Sequence, residues 1–139
     1  MDPIRRTVDV AASPAQAFEV FTTGMGTWWD AHYTPDAATF TGIDLDPRLG
    51  GVFALRHGEA SYPIGEVTVW EPGVHYGQTF SLAMDPDHPS TLDVHFARDG
   101  DGCRVSFGHG GWTPENEEYR EKYGDWTRLL ARYRLAAEA

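Results

Sequence analysis

Six short segments with alternating polar and apolar residues fill the middle of the chain, and they constrain the fold more than any other feature. Glycine, proline and aspartate separate the segments, as expected for residues that end strands. Thr91–Ala97 shows the pattern most clearly, with apolar side chains at every second position. Strands with one apolar and one polar face are typical of an antiparallel sheet. The predicted strands are Thr39–Leu45, Val52–Arg56, Ile64–Trp70, His75–Leu82, Thr91–Ala97 and Cys103–Gly108.

The N-terminal part of the chain predicts one further strand followed by a helix. Ile4–Val10 alternates loosely enough for a strand. Ser13–Gln16 then provides a capping serine, a proline at the first helical position and a glutamine that completes a capping box. We expect this helix to end by Gly24, and Met25–Trp29 to form a short helical turn.

The C-terminal segment predicts a long amphipathic helix that starts at Thr113 and Pro114. Its aromatic and aliphatic residues recur at intervals of three or four, which places them on one stripe. Gly124 lies inside this helix, where a glycine suggests close packing against another element. The stripe consists of Tyr119, Tyr123, Trp126, Leu130 and Tyr133.

The order of strand, helix, six strands and long helix predicts an α+β fold, because no strand–helix units alternate. The long helix must bury its stripe on the apolar face of the sheet. A chain of 139 residues is typical of one domain, which we expect to span residues 1–139. A chain of this mass buries about two-thirds of its surface on folding, so the core needs neither disulfides nor metals.

Charge and cysteine content exclude several classes of function. The net charge is −10, the acidic residues are evenly spread, and Lys122 is the sole lysine, so a basic footprint for nucleic acid or anionic lipid is missing. No apolar run is long enough for a transmembrane helix. Met1–Arg6 lacks the apolar segment of a secretory signal. Cys103 is the only cysteine, which excludes an internal disulfide. We therefore expect a cytoplasmic protein with no membrane or nucleic-acid partner.

An ordered set of short motifs runs from about Ile4 to Tyr133, nearly the whole chain. The motifs are Ser13-Pro14 before Phe18 and Phe21, Trp28-Trp29, Gly50-Gly51-Val52-Phe53, Gly65-Glu66-Val67, Glu71-Pro72, Cys103-Arg104-Val105, His109-Gly110-Gly111-Trp112, and Trp126 with Leu130. In this order they resemble the Bet v 1/START-like (SRPBCC) superfamily, and within it the branch named after the C-terminal domain of the Hsp90 ATPase activator Aha1.

The resemblance implies a helix-grip fold, in which a curved antiparallel sheet wraps around the long C-terminal helix with an apolar cavity between them. We expect this cavity to bind a small, largely apolar or aromatic molecule without a metal or other cofactor. His109, Tyr123 and a tryptophan N–H would orient the ligand, and the other residues would supply shape. The expected lining is Trp28, Trp29, Phe53, Phe80, Val94, Phe107, His109, Tyr123 and Trp126.

Two other functions stay open from the resemblance. The chain can be a protein-interaction module that partners a chaperone in stress response, or an enzyme of the cyclase or hydratase type with His109 as acid or base. No second catalytic group lies at a recognisable spacing, so catalysis is the weaker hypothesis. The resemblance also leaves open whether the protein is a monomer or a homodimer.

Several of these side chains have a plain structural interpretation beside the functional one. Trp28 and Trp29 can form a wall of the cavity or close the end of the core. His109 can face the cavity or be satisfied by backbone at a strand end. Tyr123 can touch the cavity or reach solvent, and Cys103 is expected to be a small buried side chain.

Three apparent metal motifs do not hold. His57 and Glu59 resemble half of a deaminase zinc site, but the cysteine pair is missing, and we expect both in a solvated turn. Asp99–Gly102 resembles a calcium loop without its final glutamate and fits a hairpin turn. Asp85–Pro89, which contains His88, fits an exposed loop.

Overall fold

The computed structural model describes all 139 residues and contains one seven-stranded antiparallel sheet in the order β1-β7-β6-β5-β4-β3-β2. Every strand predicted from the sequence is present, and the first begins and ends at the predicted residues. These segments form strands because their apolar and polar side chains alternate, so that one face of the sheet is apolar and packs on the core. The strands are β1 Ile4–Val10, β2 Phe40–Leu45, β3 Val52–His57, β4 Ala60–Glu71, β5 His75–Phe80, β6 Ser90–Asp99 and β7 Gly102–Gly110.

The sheet curls around two helices, α1 (Pro14–Phe21) and α2 (Trp126–Glu138), in the helix-grip arrangement of an α+β fold. Aromatic rings fill the space between them. Phe21 of α1 meets Tyr133 of α2 edge-on, with ring centroids 5.1 Å apart. The Tyr133 hydroxyl donates to the carbonyl of Ala17, which satisfies its buried polar atom. No helix in the structure is long and apolar enough to span a membrane.

The first helix begins as the sequence predicts. The Ser13 hydroxyl accepts a hydrogen bond of 3.1 Å from the backbone N–H of Gln16, and Pro14 occupies the first helical position. Helix α1 ends at Phe21, before Gly24, and a short 3₁₀ turn follows at Met25–Thr27. This turn orients the two tryptophans that follow it.

The prediction of one continuous C-terminal helix from Thr113 is wrong. A 3₁₀ helix spans Glu117–Tyr123, and the α-helix starts only at Trp126. The buried Asn116 side chain accepts from the Thr113 N–H and donates to the carbonyls of His88, Pro89 and Gly111. These bonds to distant backbone fix a non-helical entry to the segment, because a side-chain amide competes with helical hydrogen bonding.

Gly124 has a different role from the predicted one. It ends the 3₁₀ helix, and a Cβ placed there would meet only the Glu121 carbonyl, at 3.9 Å. That distance is ordinary van der Waals contact, so no neighbouring element requires a glycine at this position. The residue instead marks the break between the 3₁₀ helix and α2, consistent with its low helix propensity.

His57 is also placed differently from the prediction of a solvated turn. It is the last residue of β3 and is buried, and only Glu59 lies in the exposed turn before β4. The ring packs edge-on against Phe40 and Tyr62, and its Nδ1 lies 3.0 Å from the Thr39 hydroxyl. The strand continues further than its alternation indicated, because β2 pairs with it up to His57.

Candidate ligand-binding site

An apolar cavity of about 380 Å³ lies at one end of the core. Three parts of the chain meet there: the segment that follows the tryptophan pair, the loop between β5 and β6, and the junction of the 3₁₀ helix with α2. Its walls are largely apolar, with four aromatic side chains. The residues that line it are Trp29, His32, Tyr33, Thr34, Pro35, Leu82, Ala83, Lys122, Tyr123, Trp126 and Leu129.

The tryptophan pair divides between core and cavity. Trp28 packs against Phe21 and Tyr133, and its indole N–H donates to the Val20 carbonyl at 2.9 Å. Trp29 turns the other way, meets Trp126 edge-on with ring centroids 5.8 Å apart, and lines the cavity. The two adjacent side chains follow a 3₁₀ turn and point in different directions. Trp28 therefore closes the end of the core, and Trp29 forms part of the cavity wall.

The tryptophan N–H groups are already engaged within the protein. Trp29 donates to the Tyr33 carbonyl at 3.1 Å, and Trp126 donates to Nδ1 of His109 at 3.0 Å. With the bond made by Trp28, every indole donor of the predicted lining has a protein acceptor. None of these three N–H groups is free to donate to a ligand in this arrangement.

His109 is the centre of a buried hydrogen-bond chain. Because Nδ1 accepts from Trp126, the ring carries its proton on Nε2, which donates to the Ser90 hydroxyl at 2.6 Å. Ser90 in turn donates to the Phe80 carbonyl at 2.9 Å. Burial lowers the pKa of His109 from 6.5 to about 3, with a smaller contribution from the charge of Arg120. The ring is therefore neutral at pH 7, and both its nitrogens are occupied.

Six of the nine predicted lining residues lie in the packed core and do not line the cavity. Aromatic contacts fill the space where the sequence suggested a deeper pocket: Phe107 lies 4.5 Å from Trp126 between ring centroids. The cavity is thus confined to the mouth of the fold. Of the nine predicted residues, only Trp29, Tyr123 and Trp126 line it. The six core residues are Trp28, Phe53, Phe80, Val94, Phe107 and His109.

Two hydrogen bonds join residues of the cavity wall to one another. The Tyr123 hydroxyl donates to the Leu82 carbonyl, and Lys122 Nζ donates to the Ala83 carbonyl at 3.2 Å. Both bonds join the 3₁₀ helix to the β5–β6 loop, whose Ala83 has a positive φ of 55°. Burial raises the pKa of the Tyr123 hydroxyl, so it stays protonated and acts as a donor at neutral pH.

A polar cluster fixes the segment that contributes His32 and Tyr33 to the cavity wall. The buried Asp30 carboxylate accepts from the backbone N–H of His32 at 3.0 Å and lies 2.9 Å from its Nδ1. Arg128 of α2 lies 3.4 Å from the other carboxylate oxygen. The pKa of Asp30 is lowered, chiefly by the His32 N–H and then by the His32 ring. Tyr33 donates to Asp125 at 2.6 Å, which ties the same segment to the start of α2.

Sequence reasoning missed eight lining residues because most of them belong to loops or 3₁₀ turns. Residues 32–35 have no periodic pattern that would assign them to a face, so only proximity in the fold reveals them. Leu82 and Leu129 are exceptions. Leu82 alternates with Phe80 in the strand predicted over His75–Leu82. Leu129 lies one turn from Trp126 on α2 and is buried, so the helical spacing of apolar residues could have found it.

Comparison with family models assigns the chain to a protein family. The model of the family described as activator of Hsp90 ATPase homolog 1-like protein matches residues 11–137. The chain belongs to this family. No curated protein matches the sequence. This family assignment agrees with the resemblance found in the sequence motifs, which include Trp28 and Trp29.

Solved structures share the fold at low sequence identity. The Aha1 dimer from Colwellia psychrerythraea is 18% identical with a TM-score of 0.72, and the match covers 99% of this chain and 97% of that one. The self-sacrificing resistance protein CalC from Micromonospora echinospora is 22% identical, with a TM-score of 0.69 and coverage of 98% and 94%. The anthrahydroquino-γ-pyrone synthase Txn09 is 24% identical, with a TM-score of 0.64 and coverage of 96% of both chains.

Proposed function

We propose that this protein binds a small, flat, largely apolar molecule in the cavity at the mouth of the fold. The observation that carries the proposal is the cavity itself, about 380 Å³ with aromatic walls at one end of the core. Its volume falls in the range of about 300–1,000 Å³ that small-molecule sites usually have. The walls of Trp29 and Trp126 meet edge-on and offer ring surfaces to an aromatic ligand.

The charges at the rim favour a ligand with a hydroxyl or carboxylate at its edge. Lys122 is the only lysine of the chain, and one of its three N–H donors is used by the Ala83 carbonyl. Asp30, which neighbours the lining residue His32, is held by His32 and Arg128, so its negative charge is compensated. Among the residues that line the cavity, Lys122 is the only lysine, arginine, aspartate or glutamate, although the whole chain carries −10.

The fold relatives are consistent with this proposal without deciding it. CalC is described as a resistance protein and Txn09 as a synthase, while the Colwellia protein is an Aha1 dimer. The likeness to each is one of fold, so the named activities do not transfer. The proposed binding role is supported by the cavity and not by any relative, while a cytoplasmic location and a monomeric or homodimeric state stay predictions.

The two other hypotheses have less support. A chaperone partner remains a prediction from the family, and no exposed surface of the structure identifies one. An acid–base role for His109 has less support still, because both ring nitrogens are engaged by Trp126 and Ser90 and the ring lies outside the cavity wall. A catalytic histidine needs a nitrogen within reach of the substrate.

Filling the cavity tests the proposal. We expect 2-naphthoate, an aromatic ring system with a carboxylate edge, to bind the wild-type protein in a calorimetric titration. Thr34→Trp places an indole into the cavity from an extended backbone position, and should weaken binding by at least about tenfold, which corresponds to about 1.4 kcal/mol. Thr68→Trp adds the same side chain on the exposed face of β4 and should leave binding unchanged.

Either of two results would contradict the proposed site. The first is the absence of saturable binding by both 2-naphthoate and the uncharged 2-naphthol. The second is binding that survives Thr34→Trp in a variant whose circular dichroism matches that of the wild type, since the ligand would then occupy another part of the protein.

A further inference from the structure

Two histidines and an aspartate come together on the outer face of the sheet, away from the ligand cavity. His75 of β5 and His95 of β6 are direct cross-strand partners, and Asp93 lies two residues before His95 on the same face. Val94 between them is fully buried, as the alternation of a strand requires. The sheet therefore presents these three side chains side by side to solvent.

The potential ligand atoms converge on one point. Nε2 of His75 lies 2.5 Å from one Asp93 carboxylate oxygen, and Nε2 of His95 lies 3.1 Å from the other. The two imidazole rings are stacked, with centroids 3.9 Å apart and an interplanar angle of 18°. One ligand atom from each of the three residues lies within 4.8 Å of the others. Both rings thus turn the same nitrogen toward the same carboxylate.

A second carboxylate supports one of the rings from behind. Glu71 of β4 is the cross-strand partner of His75, and its carboxylate lies 3.4 Å from Nδ1 of that ring. A carboxylate behind a histidine is the usual means by which proteins fix the tautomer and orientation of a metal-binding imidazole. Glu71 can hold the Nδ1 proton while a metal ion displaces the Nε2 proton, which Asp93 accepts in the metal-free protein.

The space in front of the aspartate is open. The cross-strand partners of Asp93 are Gly77 on β5 and Gly108 on β7, so neither residue directly opposite it carries a side chain. The Asp93 side chain is about half exposed. It can therefore withdraw from the two imidazoles by the small distance that an ion between them requires.

We propose that His75, His95 and Asp93 form a binding site for a divalent transition-metal ion of the zinc class. Two imidazole nitrogens and one carboxylate oxygen suit Zn²⁺, at bond lengths of about 2.0–2.2 Å, and select against Mg²⁺ and Ca²⁺, which prefer oxygen ligands. Three protein ligands leave the fourth tetrahedral position to water. The ion would join β5 to β6 on the face of the sheet opposite to the core, so it does not depend on the function proposed for the cavity.

Calorimetric titration of the metal-free protein with ZnCl₂ tests this site. We expect one Zn²⁺ per chain in the wild type, no measurable binding in His95→Ala, and binding about tenfold weaker in Glu71→Gln, since loss of a supporting carboxylate costs about 10–100-fold in affinity. His88→Ala removes an exposed histidine from the loop before β6 and is the matched control, expected to bind as the wild type does. MgCl₂ should give no binding heat.

The imidazole NMR signals provide a second measurement on the same samples. Zn²⁺ should shift the ring signals of His75 and His95 and leave those of the buried His109 unchanged. The proposal is overturned if Zn²⁺ does not bind the wild type, if His95→Ala binds it with undiminished affinity, or if His88→Ala abolishes binding. His95 is exposed, so its alanine variant is expected to fold, and circular dichroism checks this.

Discussion

Replacing Trp126 by alanine is expected to lower the free energy of unfolding by about 3–5 kcal/mol, the usual cost of truncating a buried tryptophan. The side chain is 1% exposed and packs between Phe107 and Trp29. Its removal also takes away the donor to Nδ1 of His109, leaving a buried acceptor without a partner. The measurement is urea unfolding at pH 7.5, followed by circular dichroism.

Two matched variants separate packing from hydrogen bonding. Trp126→Phe keeps most of the apolar area but lacks the N–H, so it should cost about 1–3 kcal/mol, the penalty for an unsatisfied buried acceptor. Leu135→Ala truncates an exposed side chain on the same helix and should change stability by less than about 0.5 kcal/mol. A loss below about 1 kcal/mol for Trp126→Ala would contradict the packing described for this end of the core.

Acid is expected to destabilise the protein through His109 at a pH where most carboxylates are still ionised. The pKa of this ring falls from 6.5 to about 3 on folding, mainly through burial. Below pH 6.5 the unfolded chain therefore binds a proton that the folded chain does not, and stability falls as the pH falls. The slope approaches about 1.4 kcal/mol per pH unit, so lowering the pH from 7.5 to 5 removes about 2 kcal/mol.

His109→Gln isolates this contribution. Glutamine cannot be protonated, yet its amide can accept from Trp126 and donate to Ser90, as the histidine does. Urea unfolding at pH 7.5, 6.5 and 5 should show a wild-type profile that falls below the variant profile by that amount as the pH is lowered. Parallel profiles would mean that the ring is accessible to protons in the folded state, and would restore its candidacy as an acid or base.

The strands and the first helix could be predicted from the sequence because their signals are local. Alternation along Thr91–Ala97 and the capping residues of Ser13–Gln16 need no knowledge of the rest of the chain. The C-terminal helix shows where local reasoning fails. The spacing of Tyr119 and Tyr123 suits a continuous helix, but Asn116 bonds to backbone near Pro89, a contact that only the folded chain supplies.

The candidate site was predictable to a smaller extent for a related reason. Residues such as Phe53 and Val94 face inward as predicted, but inward-facing residues can either line a cavity or fill the core, and side-chain packing decides which. The cavity wall instead draws on Tyr33 and Pro35, from a segment without periodicity. Trp28 and Trp29 could not be distinguished from the sequence because they are identical neighbours. Their different directions after the 3₁₀ turn place Trp28 in the core and Trp29 at the cavity.

The most direct test of the central claim is an amide and indole NMR titration of the wild-type protein with 2-naphthoate. Each of the five tryptophans contributes an indole N–H signal. The account predicts that the signals of Trp29 and Trp126, which line the cavity, shift on binding, while those of Trp28 and Trp70, which lie outside it, stay in place. Shifts of Trp28 and Trp70 equal to those of the cavity pair, or no shifts at all, would contradict it.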